Sequence, residues 1–199
     1  MHMAHTAKVW SVADLEQLPD DGNRYEVIDG ELFVTPAPNL DHQEAVVQMH
    51  RLLADYLGAQ RVGHAVVAPA DVVFSPRRGL QPDLFVVPLL GGRRPRRFTD
   101  VGRLLLAVEV LSPSTSRVDR VKKRTVYREE AVPEYWIVDL DGRVFERSIP
   151  GDHRIEVVAD RLTWRPEGSS SALEIDVELY FRDVLDDGEI GSPAPPYKE

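Results

Sequence analysis

The order of apolar and polar runs along this chain calls for an α/β (α+β) fold, a mixed β-sheet core flanked by helices. Three observations carry it. Helical, strand, helical and strand patterns follow one another between residues 42 and 139; Leu104 to Leu111 is apolar throughout except for Glu109; and Asp29-Gly30 separates two short strand-like runs near the start. The 199 residues, 43% apolar and free of cysteine, suffice for one hydrophobic core, so global disorder, disulfides, thiolate metal sites and thiol nucleophiles are excluded. One domain over residues 1–189 is expected, with its core at 24–139.

Residues 10–18 carry Trp10, Val12, Leu15 and Leu18 at the spacing of a short amphipathic helix. Tyr25 to Ile28 and Glu31 to Val34 flank Asp29-Gly30, a pair that supplies the positive φ values of a two-residue hairpin turn. Asp41 with Glu44 three positions on resembles a capping box, and Val46, Met49, Leu53, Tyr56 and Leu57 then recur at helical spacing as far as Gly58. Val62 to Phe74 is β-branched but interrupted by Pro69, hence a strand pair or one bent strand. Leu84 to Val87 is a short strand, and Leu104 to Leu111 reads as a strand covered on both faces. A helix is expected from Ser116 to about Ala131, where Pro133 forbids its continuation. Tyr135 to Asp139 is a further buried strand. Residues 143–149 and 154–164 read as the C-terminal hairpin, the 172–185 stretch ends in a helix, and 190–199, with Pro193, Pro195 and Pro196, reads as a frayed tail.

The net charge of −9 conceals an asymmetry. Eight acids between Glu167 and Glu189 face the single base Arg182, a local charge of −7 that leaves −2 for everything else. Bases cluster in that remainder, at Arg93, Arg94, Arg96 and Arg97 in one loop and at Arg117, Arg120, Lys122, Lys123, Arg124 and Arg128 in one helix. Each cluster suits either a solvated surface or contact with phosphates. No apolar segment is long enough to span a bilayer and no signal-peptide pattern opens the chain, so a cytoplasmic protein without a membrane partner is expected.

Glu109 is the most informative residue. A carboxylate inside a central strand is costly unless protonated, paired or metal-bound. Asp83, after Pro82 at the start of the preceding strand, is a turn acid or its partner. Two such hard oxygen donors suit Mg²⁺, which keeps several waters. Asp119, Lys123 and Tyr127 fall at i, i+4 and i+8, one face of the helix that follows the Glu109 strand, so Lys123 either pairs with Asp119 at the surface or reaches the acids. Lys122 points elsewhere, toward solvent or DNA. The His-Glu-x-x-His and Gly-x-Ser-x-Gly patterns are absent, and Gly91-Gly92 lacks the features of a phosphate-cradling loop.

Arg24-Tyr25-Glu26-Val27-Ile28-Asp29-Gly30-Glu31-Leu32, His42-Gln43, Pro82-Asp83, Val108 to Thr115, Asp119 with Lys123 and Tyr127, and Val132 to Asp139 together resemble the Uma-two family. That family, formerly a domain of unknown function, is named for restriction endonucleases and assigned to the PD-(D/E)XK nuclease superfamily. The resemblance spans residues 24–139 and implies a restriction-endonuclease-like core. It implies Mg²⁺-dependent hydrolysis of phosphodiester bonds, DNA above all, with Mn²⁺ as the alternative ion. Asp83 and Glu109 match the two metal-binding acids. The lysine expected two residues after the second acid is Leu111 here, and Lys123 of the next helix takes its place in the catalytic set. Glu26, His42 and Tyr127 are accessory candidates, although His42 serves equally as a helix cap. Arg93, Arg94, Arg96, Arg97, Arg120, Lys122 and Arg124 are the expected contacts to the nucleic-acid backbone, without sequence readout. A homodimer is expected by symmetry. An inactive nuclease-fold scaffold and a hydrolase of a small phosphorylated substrate are the competing readings.

Overall fold

The computed structural model describes residues 8–97, 101–152 and 154–185. The expected tail at 190–199 lies outside the described residues. A short helix α1 (Val12–Leu15), capped by Ser11 and Asp14 in a reciprocal box, leads into the hairpin β1 (Arg24–Ile28) and β2 (Glu31–Thr35). Asp29 and Gly30 both take positive φ, 53° and 85°, the two-residue turn that the sequence calls for. The long helix α2 (Leu40–Gln60) follows. Its cap is Asn39, whose side chain accepts from the His42 amide, and not Asp41. The helix passes through Gly58 and stops at Arg61 in the left-handed conformation, because its buried stripe from Ala45 to Leu57 outweighs one glycine.

The Val62 to Phe74 stretch divides into β3 (Gly63–Val67) and β4 (Val72–Ser75), which do not pair with each other. A three-residue strand β5 (Arg78–Leu80), too short and too polar to show in the sequence pattern, lies between β1 and β4. Then come β6 (Leu84–Pro88) and β7 (Leu106–Val110). A π-helical turn (Val118–Lys123) runs directly into α3 (Arg124–Glu129), and β8 (Tyr135–Asp139) and β9 (Val144–Ser148) follow. The 154–164 stretch is two strands: β10 (Glu156–Val158) pairs with β9, whereas β11 (Arg161–Trp164) pairs with β12 (Leu173–Asp176) ahead of α4 (Val177–Val184).

The central six-stranded sheet has the order β10-β9-β8-β7-β6-β3, and within it only β7 and β8 run parallel. The N-terminal sheet has the order β2-β1-β5-β4. Strand alternation divides the core in two. Leu84, Val86, Leu106, Val108, Val110, Trp136 and Val138 face α2, α4 and the β11–β12 hairpin. Phe85, Val87, Ala107, Tyr135 and Ile137 face α3 and the N-terminal sheet. By the same period of two, Asp83 and Glu109 belong to this second face.

Candidate active site

Each site residue is placed by its strand or helix. β6 and β7 pair antiparallel with Leu84 opposite Val108, and one further step of that register sets Asp83 beside Glu109. The Val110 amide donates to Asp83 Oδ2 at 2.8 Å. Alternation along β1 puts Arg24 and Glu26 on one face. Arg24 donates to Asp83 Oδ1 at 2.7 Å and to the Gln81 carbonyl at 3.0 Å. Glu26 Oε1 accepts from the Gln81 amide at 2.7 Å. From α2, His42 Nε2 lies 3.1 Å from Asp83 Oδ2. Asp83 is thus held at both oxygens, from β1, α2 and β7.

Lys123 is 2% exposed, and its ammonium lies 2.9 Å from Glu109 Oε1, 3.0 Å from Glu26 Oε1 and 3.5 Å from Asp119 Oδ1. It is therefore a buried centre of carboxylates and not one half of a surface pair with Asp119. The Tyr127 hydroxyl donates to Glu109 Oε1 at 3.1 Å, and the neighbouring Tyr135 hydroxyl donates to the Asp119 carbonyl at 3.1 Å, their rings 4.7 Å apart. Asp83, Glu109, Asp119 and Lys123 line a cavity of about 800 Å³ whose walls include the Ser112–Ser116 loop and the end of β8 at Asp139.

The electrostatics follow from burial and company. Burial alone would raise the Asp83 carboxyl, but the His42 hydrogen bond and the Arg24 charge hold it below the ordinary carboxylate range. Burial pushes Glu109 well above its ordinary value; Lys123 opposes this, while Asp83, Asp119 and Glu26 add to it. Asp119 is raised, by burial first. Lys123 would lose its proton more readily through burial, yet Glu109, Glu26, Asp119 and Asp83 outweigh that and keep it an ammonium. Four buried carboxyl groups thus face two permanent cations, Arg24 and Lys123. Asp119 Oδ1 and His42 Nδ1 have no hydrogen-bond partner among the described residues. This imbalance is what a cation or shared protons would relieve.

The sequence-derived bases behave differently. Arg120 is committed to Glu146, Asp139 and Ser116, Arg124 to Glu146, and Lys122 to Glu31 above the Phe33 ring. Arg93, Arg94 and Arg96 are exposed, but they and Arg97 follow the far end of β6. The length of that strand, about 17 Å at its usual rise, separates them from Asp83. The structure therefore brings Asp83, Glu109, Lys123, Glu26, His42 and Tyr127 together and leaves the arginine loop elsewhere. Sequence reasoning missed Arg24, which shares a strand face with Glu26, and Asp119 as a cavity wall.

Two acids thus stand on neighbouring strands of the mixed sheet of an α/β fold, with a lysine from the following helix on the second acid. The Uma2 family, described as "Putative restriction endonuclease", matches residues 12–179, and the chain belongs to that family. A crystal structure of "a putative nuclease belonging to DUF820" from Anabaena variabilis ATCC 29413 is similar over 88% of this chain and 99% of that one, with a TM-score of 0.73 at 20% identity. That likeness is one of fold. No curated protein matches the chain. Among the described residues no helix is long and apolar enough to cross a membrane.

Proposed function

We propose that this chain is a divalent-metal-dependent nuclease that hydrolyses phosphodiester bonds of nucleic acid, with DNA as the substrate. The observation that carries the reading is the facing pair Asp83 and Glu109 at the wall of an open cavity, with the Lys123 ammonium 2.9 Å from Glu109. The donor set suits a hard divalent cation, because the excess of carboxyl groups over fixed cations needs positive charge. Among the described residues no three His, Asp or Glu side chains converge as a ready cage. Asp83 and Glu109 would accordingly hold Mg²⁺ or Mn²⁺ together with water and phosphate oxygens, the mode that Mg²⁺ prefers. When bound, the ion supplies Lewis-acid polarisation of the phosphoryl group and a more acidic attacking water. Lys123 neutralises charge beside Glu109 and is positioned to stabilise the extra negative charge of the transition state. Arg24 and His42 fix the Asp83 carboxylate, and Tyr127 fixes Glu109, so neither acid has to reorganise during the reaction.

The test is cleavage of labelled single-stranded, duplex and branched DNA, and of RNA, at low salt with Mg²⁺ or Mn²⁺. Asp83→Asn and Glu109→Gln, which conserve volume, should each lower the rate by at least about a hundredfold, the scale of one lost electrostatic group. Calorimetric Mn²⁺ titration runs alongside. Cutting that survives both variants sinks the proposal. One observation favours a second reading: both Asp83 oxygens and Glu109 Oε1 already bond to protein donors, as in a closed structural network. Absence of Mn²⁺ binding together with absence of cleavage would establish that inactive scaffold.

A further inference from the structure

A second, smaller cavity of about 200 Å³ lies between α3, the start of β8 and the β9–β10 turn. Its lining includes three arginines, Arg124, Arg128 and Arg154, and one acid, Asp152. Arg124 uses one amino group on Glu146, but its Nε is buried without a hydrogen-bond partner, and so is the Ser148 hydroxyl on the same lining. Arg128 and Arg154 are exposed, and neither guanidinium forms an ion pair with the described residues. Asp152 is turned toward the backbone, accepting from the Arg154 amide at 2.9 Å.

Buried donors without partners are rare in folded proteins and call for a ligand or a water. Here two of them share a pocket with two guanidiniums that form no ion pair among the described residues, and whose forked donors match tetrahedral oxyanions. The volume is below that of ordinary pockets for larger ligands. We infer that this pocket is a binding site for a phosphate group, with Arg124 Nε and Ser148 Oγ as its floor and Arg128 and Arg154 as its clamp. The site is separate from the acid cavity and stands whether or not the chain cleaves nucleic acid. Through Tyr135, which lines it and bonds the Asp119 carbonyl, it backs directly onto that cavity.

The experiment is isothermal titration of the full chain with inorganic phosphate at low ionic strength, against chloride. Saturable binding of one phosphate is expected, weakened about tenfold or more in an Arg128→Gln/Arg154→Gln protein, since each replacement removes charge-assisted hydrogen bonds. Both side chains are exposed, so that variant keeps its fold, and circular dichroism verifies it. The Nε–H resonance of Arg124 should shift on titration. Failure to saturate, equal binding in the double variant, or an unmoved Arg124 resonance would each overturn the inference. Competition then identifies the source. If 5′-phosphorylated oligonucleotides displace phosphate and unphosphorylated ones do not, the site takes a strand end; if neither does, it takes free phosphate.

Discussion

An ammonium that is 2% exposed is tolerated in a protein only when other charges replace its water, because desolvation costs several kcal/mol per ion. Lys123 meets that condition with Glu109, Glu26 and Asp119, so its removal would strand three carboxyl groups in the interior. Lys123→Met should therefore cost about 3–5 kcal/mol in urea unfolding, the usual consequence of breaking a buried pair from one side. Glu109→Gln leaves Lys123 two carboxylates and removes a carboxyl that burial already disfavours in its charged form, so it should cost far less. Equal stability of Lys123→Met and the parent chain would show that the cluster is not held by charge. This asymmetry is also why the cleavage test rests on the two carboxyl replacements. Helical spacing tied Lys123 to Asp119 and Tyr127 but left a surface pair with Asp119 equally open, and only the family resemblance pointed it at the acids. Glu109 was legible because a charge stands out in an apolar strand. Arg24 was not, because its partner Asp83 lies 59 residues away, and strand alternation gives its face without naming what that face meets.

At the level of elements, the π-helical turn sets the alignment of the site. In a straight α-helix, residues eight apart diverge by about 80° around the axis, so Asp119 and Tyr127 would point in distinctly different directions. The Val118–Lys123 segment is instead π-helical, and the Arg124 amide bonds back to the Asp119 carbonyl. At roughly 4.4 residues per turn this geometry rotates less per residue and cancels most of that drift. The Tyr135 hydroxyl on the same carbonyl supports the widened turn. Deleting Val121, an exposed residue of this turn (57%), should restore α geometry and swing Asp119 away from Lys123. Thermal unfolding should remain cooperative, while Mn²⁺ affinity and cleavage fall by at least about tenfold, the equivalent of one misplaced charged hydrogen bond. Retention of both would show the turn to be incidental. Sequence periodicity located the helix but not this irregularity, since an extra residue per turn leaves no mark on an apolar pattern this short. The strand β5 was hidden for a related reason: three residues carry no period.

Over the whole molecule, a charge of −9 has to coexist with a proposed polyanionic substrate. The sequence shows where bases cluster along the chain but not where the fold sends them. The arginine loop lies at the opposite end of β6 from Asp83, and Arg120, Lys122 and Arg124 are engaged with Glu146, Asp139 and Glu31. Residues 167–185 of the acidic C-terminal stretch are likewise folded onto the body, with β12 and α4 packed on α2 and Leu185 at the cavity wall. Among the described residues the cations lining the acid cavity, apart from buried Lys123, are Arg24, Arg120 and Arg143, and Arg120 is already held by Asp139 and Glu146. In an Asp83→Asn protein Arg24 loses its charged partner, so a backbone neutralised by Arg24 and Arg143 releases about two counterions, for a slope near −2 in log K against log salt on duplex DNA. Fluorescence anisotropy with the Asp83→Asn protein, across a range of monovalent salt, measures that slope. A value near −2 would place the duplex over the acid cavity, with the arginine loop outside the contact. A slope of −6 or steeper would bring in bases remote from the acids, including that loop, and would require the substrate to wrap from one end of the central sheet to the other.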